Sequence, residues 1–329
     1  MIQNMSSRIG ACCVLATFLA ISFVLAQSDS FGQEVQKVSA RISSSPKAAT
    51  NLPTQVKRID ELIERDWAEY ELKPSPEATD GEWCRRVYLD LIGRTPTVKE
   101  TLDFYHSKEE NKKLALVEKL LYSDDYTEEF ARNWTTVWTN LLIGRTGGVD
   151  DDSMINREGM QKYLRDSFAR EKPYDRMVHE LISAKGMTAP GDPNFNGATN
   201  FLIDKVNAEE ATLATSSTTR IFLGLQVQCA QCHKHPFNEW EQETYWQMNA
   251  FFRQAKAFPR RMRTETGANG ELADQDFASR RRRDFDEAEI YFESRNGLMQ
   301  VAWPVFVDGT EVPRSGLVKV VNRLSLIHI

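Results

Sequence analysis

The chain has 329 residues, of which 41% are hydrophobic, 10% aromatic and 27% charged. This composition is typical of a globular protein and argues against a largely disordered one. The formal net charge of −6 is a small excess over many charges of both signs, which argues against nucleic acid as a main partner.

The N-terminus has the layout of a secretory signal peptide. Arg8 precedes an uncharged apolar run that ends at Ala26, with Val24 as the second small residue that signal peptidase requires. We expect cleavage after Ala26 and a periplasmic or secreted protein. The membrane is expected as a partner only if residues 1–26 stay uncleaved. Residues 27–53 are rich in Ser, Gln, Lys and Ala and predict a flexible spacer.

Residues 54–258 show apolar side chains at helical spacing, separated by Gly, Pro, Ser or Asp. The pattern predicts helices over residues 54–72, 82–91, 98–105, 112–122, 126–142, 155–170, 174–184, 208–225 and 240–252. Gly93 is predicted to end one helix in the left-handed conformation, and Thr97 to cap the next. Residues 186–201 hold glycines, prolines and asparagines and predict a loop long enough to be functional.

Residues 259–329 differ in composition from the helical part. They are dense in charge around Arg280–Arg283, and "LMQVAWPVFVDGTEV" predicts short strands around the Asp308–Gly309 turn. The sequence therefore predicts a mainly α protein, a multi-helix domain with a charged linker and a small C-terminal β element. The ending "LSLIHI" is typical of a truncation, so we expect this part to be incomplete.

The segment "CAQCH" has the pattern of covalent c-type haem attachment. The thiols of Cys229 and Cys232 can each add to one vinyl group of the porphyrin, and His233 can then ligate the iron. With five Cys and five His in the chain, chance would produce this pattern about once in a thousand such sequences. The motif thus predicts a haem c site for electron transfer.

Two other uses of the same residues remain open. Cys229, Cys232, His233 and His235 form a thiolate and imidazole set that suits zinc or iron, with a further ligand such as His179. The chain would then be a metal-stabilised binding module. Alternatively, the two cysteines form a disulfide or stay as free thiols.

Several other reactive side chains are predicted to be structural. Met248 and Met187 are candidate distal haem ligands, but the aromatic neighbours of Met248 favour core packing. Cys84, beside Trp83 on an amphipathic helix, is predicted to be a small buried hydrophobe. No nucleophile and base occur at a recognisable spacing, so the sequence predicts no catalytic residue and leaves open whether the protein is an enzyme.

Three blocks in order also carry a family resemblance: "RRVYLDLIGRTPT", "YLRDSFAREKPYDRMVHELI" and "FLGLQVQCAQCHKHPFNEWEQETYWQMNAFF". They resemble the planctomycete cytochrome c-like family known as domain of unknown function 1549, over about residues 54–258. The resemblance implies an exported protein that works with a redox partner protein or an attached catalytic domain, and that continues into a second domain. The Cys-x-x-Cys-His-x-His-Pro-Phe block of the family falls on Cys229, Cys232, His233, His235, Pro236 and Phe237.

Overall fold

The computed structural model describes residues 54–149, 153–260, 269–274 and 290–313. The predicted signal peptide, the predicted spacer and the run of four arginines lie outside the described residues. The chain divides into two compact units, one that ends at Glu77 and one that begins at Ala78. The described part of the first unit holds helix α1 (Thr54–Glu69), which buries none of its side chains.

The second unit consists mainly of helices, with a few short strands, and this confirms the predicted fold class. Its α-helices are α2 (Asp80–Ile92), α3 (Val98–His106), α4 (Lys112–Tyr122), α5 (Asp124–Ile143), α6 (Arg157–Ala169), α7 (Tyr174–Ser183), α8 (Thr212–Phe222) and α9 (Gln242–Ala250). Short 3₁₀ helices span Gly197–Phe201, Ala208–Ala211 and Val227–Gln231. The strands are β1 (Gly186–Met187), β2 (Ala255–Pro259), β3 (Gly270–Asp274), β4 (Ile290–Glu293) and β5 (Met299–Ala302). None of the helices described combines the length and the apolar character needed to cross a bilayer.

The connection between α2 and α3 has the predicted end and cap. Gly93 ends α2 in the left-handed region, at φ 73°, and its N–H donates to the carbonyl oxygen of Leu89. The side chain of Thr97 accepts from the N–H of Glu100, whose carboxylate accepts from the N–H of Thr97. This reciprocal pair satisfies N–H groups that a helix start leaves without partners. Both predictions for this connection are confirmed.

A first core forms where α2 packs against α3, α4 and α5. Cys84 is fully buried there, which confirms its predicted role, and burial raises the pKa of its thiol. The other buried members are Tyr88, Ile92, Phe104, Leu116, Leu120 and Tyr126. Beside this core, Arg94 forms a salt bridge with Glu100 of α3 and another with Glu129 of α5.

A second, larger core is formed by side chains from α5, α6, α7, α8 and α9 together with β2 and β3. Met248 of α9 is fully buried in it, and Met187 is 5% exposed. The prediction that Met248 packs in the core is therefore confirmed. Its other large buried side chains include Leu142, Met160, Leu164, Leu181, Phe201, Leu202, Ile203, Phe251 and Phe252.

The segment 186–201 differs from the predicted loop, because it is folded into this core. Its first two residues form β1, which pairs antiparallel with β3, and its last five form a buried 3₁₀ helix. The side chain of Asn200 forms hydrogen bonds with backbone groups that have no partner in regular secondary structure. It accepts from the N–H of Asn156 at 2.6 Å and donates to the carbonyl oxygens of Thr188 and Gly197.

Helix α8 begins four residues later than predicted. Residues 208–211 form a 3₁₀ turn, and Glu210 and Ala211 have φ values of 60° and 66°. Two consecutive residues in the left-handed region cannot continue a right-handed α-helix. The carbonyl oxygen of Glu210 accepts from Asn249 Nδ2, so α9 contacts this irregular turn.

The C-terminal β structure is larger than the sequence predicts. Besides the predicted strand β5, the structure contains β4, whose strand pattern is hard to recognise in a segment dense in charge. The strands β4 and β5 form an antiparallel pair. This hairpin packs on α9, where the rings of Phe292 and Trp246 stack with centroids 5.7 Å apart. The predicted Asp308–Gly309 turn is present, with Asp308 Oδ1 accepting from the N–H of Thr310.

Candidate functional site

Cys229 lies on the short 3₁₀ helix Val227–Gln231 and Cys232 directly follows it, and this turn has an exposed side and a buried side. In a 3₁₀ helix, residues three apart lie nearly one above the other. Val227 and Ala230 are buried against Tyr245 of α9, whereas Cys229 and Cys232 are exposed. Both cysteines are free thiols. The Cys-x-x-Cys spacing on this turn thus presents two thiols on its solvent side.

Helix α9 holds this turn in place through one carbonyl group. The carbonyl oxygen of Gln231 accepts from Gln242 Nε2 and from Trp246 Nε1, each at 3.1 Å. Gln242 Nε2 also donates to the carbonyl oxygen of Glu293 in β4, at 2.9 Å. The residue that immediately precedes Cys232 is therefore tied to α9 and, through Gln242, to the C-terminal hairpin.

His233 is exposed, and its ring makes a hydrogen bond to the backbone. Its Nδ1 lies 2.6 Å from the carbonyl oxygen of Lys234. A carbonyl oxygen only accepts, so Nδ1 is the donor, and in the neutral imidazole Nε2 then keeps its lone pair. Histidines that ligate metals commonly donate their other ring N–H to a backbone carbonyl in this way. His233 can therefore offer Nε2 to an iron or another metal ion.

His235 has the opposite arrangement and closes its own loop. It is 8% exposed, and its Nδ1 accepts from the N–H groups of Phe237 and Asn238 at 3.2 and 3.1 Å. Its backbone N–H donates to the carbonyl oxygen of Trp240 at 2.8 Å. A neutral imidazole whose Nδ1 accepts carries its hydrogen on Nε2. In the neutral ring, Nε2 of His235 therefore carries the hydrogen while Nδ1 accepts from the backbone.

The loop that His235 closes is also tied at its exposed side. Lys234 and Glu241 form a salt bridge of 2.6 Å, and Glu241 raises the pKa of the Lys234 ammonium group. The ring of Phe237 lies 6.4 Å from that of His235 and is 91% exposed. The backbone on both sides of His233 is therefore held by contacts that leave its ring accessible.

The part of the chain that the structure describes gathers no non-haem ligand set. Among the described residues, no three or more His, Cys, Asp or Glu side chains are arranged to hold a metal ion. His179, the suggested extra ligand, lies on α7 with its Nδ1 3.4 Å from Ser183 Oγ. The motif thus contributes two thiols and one imidazole, while His235 is engaged by backbone groups.

The thiol and imidazole groups fit the chemistry of covalent haem attachment. Cys229 and Cys232 are exposed, unbonded and three residues apart, and His233 directly after them has an available Nε2. Beside them, a cavity of about 320 Å³ is lined by Leu213, Ser216, Ser217, Arg220, Gln226, Gln228 and Cys229. The cavity is lined by both polar and apolar surface.

Sequence reasoning missed the groups that support the motif. Gln242 and Trp246 are one helical turn apart on α9 and therefore lie on one face, but only the folded chain brings that face to Gln231. Arg220 was not identified either, because an exposed arginine near a helix C-terminus has no distinctive pattern. Two polar residues outside the motif, Asp204 and Arg94, make structural contacts. Asp204 accepts from Ser153 Oγ and from the N–H of Met154, and Arg94 forms the salt bridges with Glu100 and Glu129.

The comparisons with known proteins identify a family but no function. No curated protein and no solved structure gives a significant match. The model of the family PSCyt2, described as a protein of unknown function (DUF1549), matches residues 58–257. That range covers more than half of the chain and includes the turn with both cysteines and the loop closed by His235. The chain therefore belongs to the PSCyt2 family of proteins of unknown function (DUF1549).

Proposed function

We propose that this chain is an exported domain that binds haem c covalently and transfers electrons. The observation that carries the proposal is the state of His233, whose Nδ1 donates to the carbonyl oxygen of Lys234 and leaves Nε2 available next to two exposed free thiols. Haem bound there would supply one-electron redox chemistry. The two cysteines would attach the haem, His233 would ligate its iron, and the side chains of α9 would support the backbone between them.

Cys229 and Cys232 would make the attachment. Each thiol adds across one vinyl group, so that a carbon–sulfur bond forms and the thiol hydrogen moves to the neighbouring vinyl carbon. This addition consumes no oxidant or reductant, but it requires both cysteines to be reduced. The exposure of both thiols on one side of the 3₁₀ turn supports the proposal, because two attachment points then face the same ligand.

His233 would ligate the iron through Nε2. Its Nδ1–H bond to the carbonyl oxygen of Lys234 fixes the tautomer and orients the ring. The hydrogen bonds of Gln242 and Trp246 to Gln231 hold the preceding residue, so the ligand and the thiols share a supported backbone. Such support limits the movement of a ligand between redox states.

The partner and the location of the protein follow from the same proposal. Because Cys229, Cys232 and His233 are exposed, a redox partner protein or an attached catalytic domain can approach the site closely. Covalent haem attachment takes place outside the cytoplasm, and the apolar N-terminal segment fits export to the periplasm or beyond. We therefore include periplasmic or secreted localisation in the proposal.

Haem attachment can be tested on the full chain produced in a host with haem-attachment machinery. We expect a Soret band that survives acid-acetone extraction, together with a pyridine haemochrome spectrum of the thioether-linked type. The metal content of the purified protein should be one iron per haem. Stoichiometric zinc or iron without porphyrin would overturn the proposal in favour of a metal-stabilised binding module. A protein with no metal and no porphyrin would overturn both.

A further inference from the structure

Helix α1 carries an apolar stripe that is exposed along its whole length. Residues three and four apart lie on one face of a helix. The stripe consists of Val56, Ile59, Ile63, Trp67 and Tyr70, whose exposed fractions run from 37% to 68%. Tyr70 directly follows the helix and continues its turn, since its N–H donates to the carbonyl oxygen of Asp66 at 3.0 Å. A continuous apolar face of this kind is typical of a helix that packs against another surface.

The spacing of this stripe is the same in both directions along the helix. Counting from Ile63, apolar side chains follow at four and seven positions on either side. When two copies of α1 lie antiparallel with Ile63 at the centre, Ile59 of one copy is opposite Trp67 of the other. Val56 is then opposite Tyr70. A two-fold interface requires such a surface, in which the same patch from both copies is complementary to itself.

The charges at the two ends of α1 favour the antiparallel orientation. The first turn contains no acidic residue and the last turn no basic one. Instead, Lys57 and Arg58 lie near the start, whereas Glu69 and Glu71 lie at the end. This distribution is the opposite of the one that the dipole of a single helix favours. In an antiparallel pair, the acidic end of each helix lies beside the basic end of the other, and this compensates the unfavourable arrangement within each copy.

Two other coverings of the stripe fit these charges less well. A parallel pair of helices would bring the basic ends together and the acidic ends together, which is repulsive. An anionic lipid surface attracts amphipathic helices that are rich in Lys and Arg. Helix α1 instead has five carboxylates and only three cations, so such a surface would repel it.

We propose that α1 pairs antiparallel with α1 of a second copy of this chain, with Ile63 at the two-fold axis. This interaction surface goes beyond the proposed function and does not depend on it. Each copy contributes only five apolar side chains, so the interface is small and the dimer dissociates on dilution.

The test measures the mass of the full chain by analytical ultracentrifugation over a range of concentrations. Ile59→Glu and Trp67→Lys each place a charge in the stripe, and each should raise the dissociation constant of the dimer at least about tenfold. Ala68→Glu is the matched control, because Ala68 is exposed on the opposite side of α1. It should form dimers like the wild type. All three side chains are exposed, so the variants should keep the fold.

An equimolar mixture of Ile59→Glu and Trp67→Lys tests the orientation. In the antiparallel pair the two introduced charges are opposite in sign and face each other, so the mixture should dimerise more tightly than either variant alone. A mixture no more dimeric than its components would overturn the antiparallel pairing. A wild-type chain that stays monomeric at every concentration would overturn the proposal, and so would Ile59→Glu that dimerises like Ala68→Glu. Monomeric wild type that binds anionic vesicles would assign the stripe to a membrane instead.

Discussion

The imidazoles of His233 and His235 make hydrogen bonds of opposite sense, although only one residue separates them. Nδ1 of His233 donates to a carbonyl oxygen at 2.6 Å, whereas Nδ1 of His235 accepts from two backbone N–H groups at 3.2 and 3.1 Å. In their neutral forms, His233 therefore keeps a lone pair on Nε2 and His235 carries a hydrogen there. The two histidines of the motif thus differ in how the backbone engages their rings.

This difference between the two rings predicts different losses in two variants. His233→Ala should lose the proposed protein ligand of the haem iron. It should keep the fold, because the side chain of His233 is exposed. His235→Ala should retain haem but lower the free energy of unfolding by about 1–3 kcal/mol, because two N–H groups lose their acceptor. Haem spectra and thermal midpoints measure the two effects.

A matched control for His235 is His235→Asn, whose side-chain oxygen can take over the role of Nδ1 in accepting backbone N–H groups. We expect it to recover part of the lost stability. If His235→Ala lost bound metal while His233→Ala retained it, the proposed roles of the two histidines would be wrong.

Removing one thiol should weaken attachment without abolishing it. Cys232→Ser leaves a single thioether at Cys229, so haem should remain on the denatured chain but at a lower yield. The double variant Cys229→Ser with Cys232→Ser should release all haem into acid acetone. Cys84→Ala, at the fully buried core position, serves as the control and should keep full attachment. Denaturing electrophoresis with haem staining distinguishes these cases, and equal staining of all four proteins would contradict covalent attachment.

The Arg94–Glu100 pair should make stability depend on pH in acid. The hydrogen bond from Arg94, at 2.8 Å, is the main cause that holds the pKa of the Glu100 carboxyl well below its usual value. A depressed pKa contributes stability that is complete above the ordinary glutamate pKa of about 4.3 and is lost as the pH falls further. Glu100→Gln should therefore cost about 1.5–3 kcal/mol at pH 7, and this cost should shrink below about pH 4.

Unfolding by denaturant at several pH values measures this effect. The matched control is Glu128→Gln on α5, an exposed glutamate, which should change stability little at any pH. A cost of Glu100→Gln that stayed constant from pH 7 to pH 3 would show that the carboxylate charge is not responsible.

Two glycines of one helix should respond to alanine in opposite directions. Gly93 ends α2 at φ 73°, and a Cβ there would clash with the side chain of Asn133. Gly93→Ala should therefore destabilise the protein by at least about 1–2 kcal/mol. Gly81, within α2, has open space around its Cα, so Gly81→Ala should be neutral or stabilise by up to about 1 kcal/mol. Thermal midpoints that moved in the same direction would contradict this account.

Features encoded within a few residues could be predicted from the sequence. Helix α4 occurs over the predicted span, and the left-handed end at Gly93 and the cap at Thr97 are present. Cys84 and Met248 are buried, as their apolar neighbourhoods indicate. Periodicity and capping act over three or four residues, so a local stretch of chain contains the information that they need.

The sequence by itself thus determined the helical class, the ends of several helices, the family and the position of the Cys-x-x-Cys-His motif. Only the tertiary structure decided that segment 186–201 joins β3 in a sheet and that α9 anchors Gln231. It also decided which histidine keeps a free Nε2 and that Arg220 shares a cavity with Cys229. These relations join groups that are distant along the chain or depend on the path of a loop, and they form only when the helices pack.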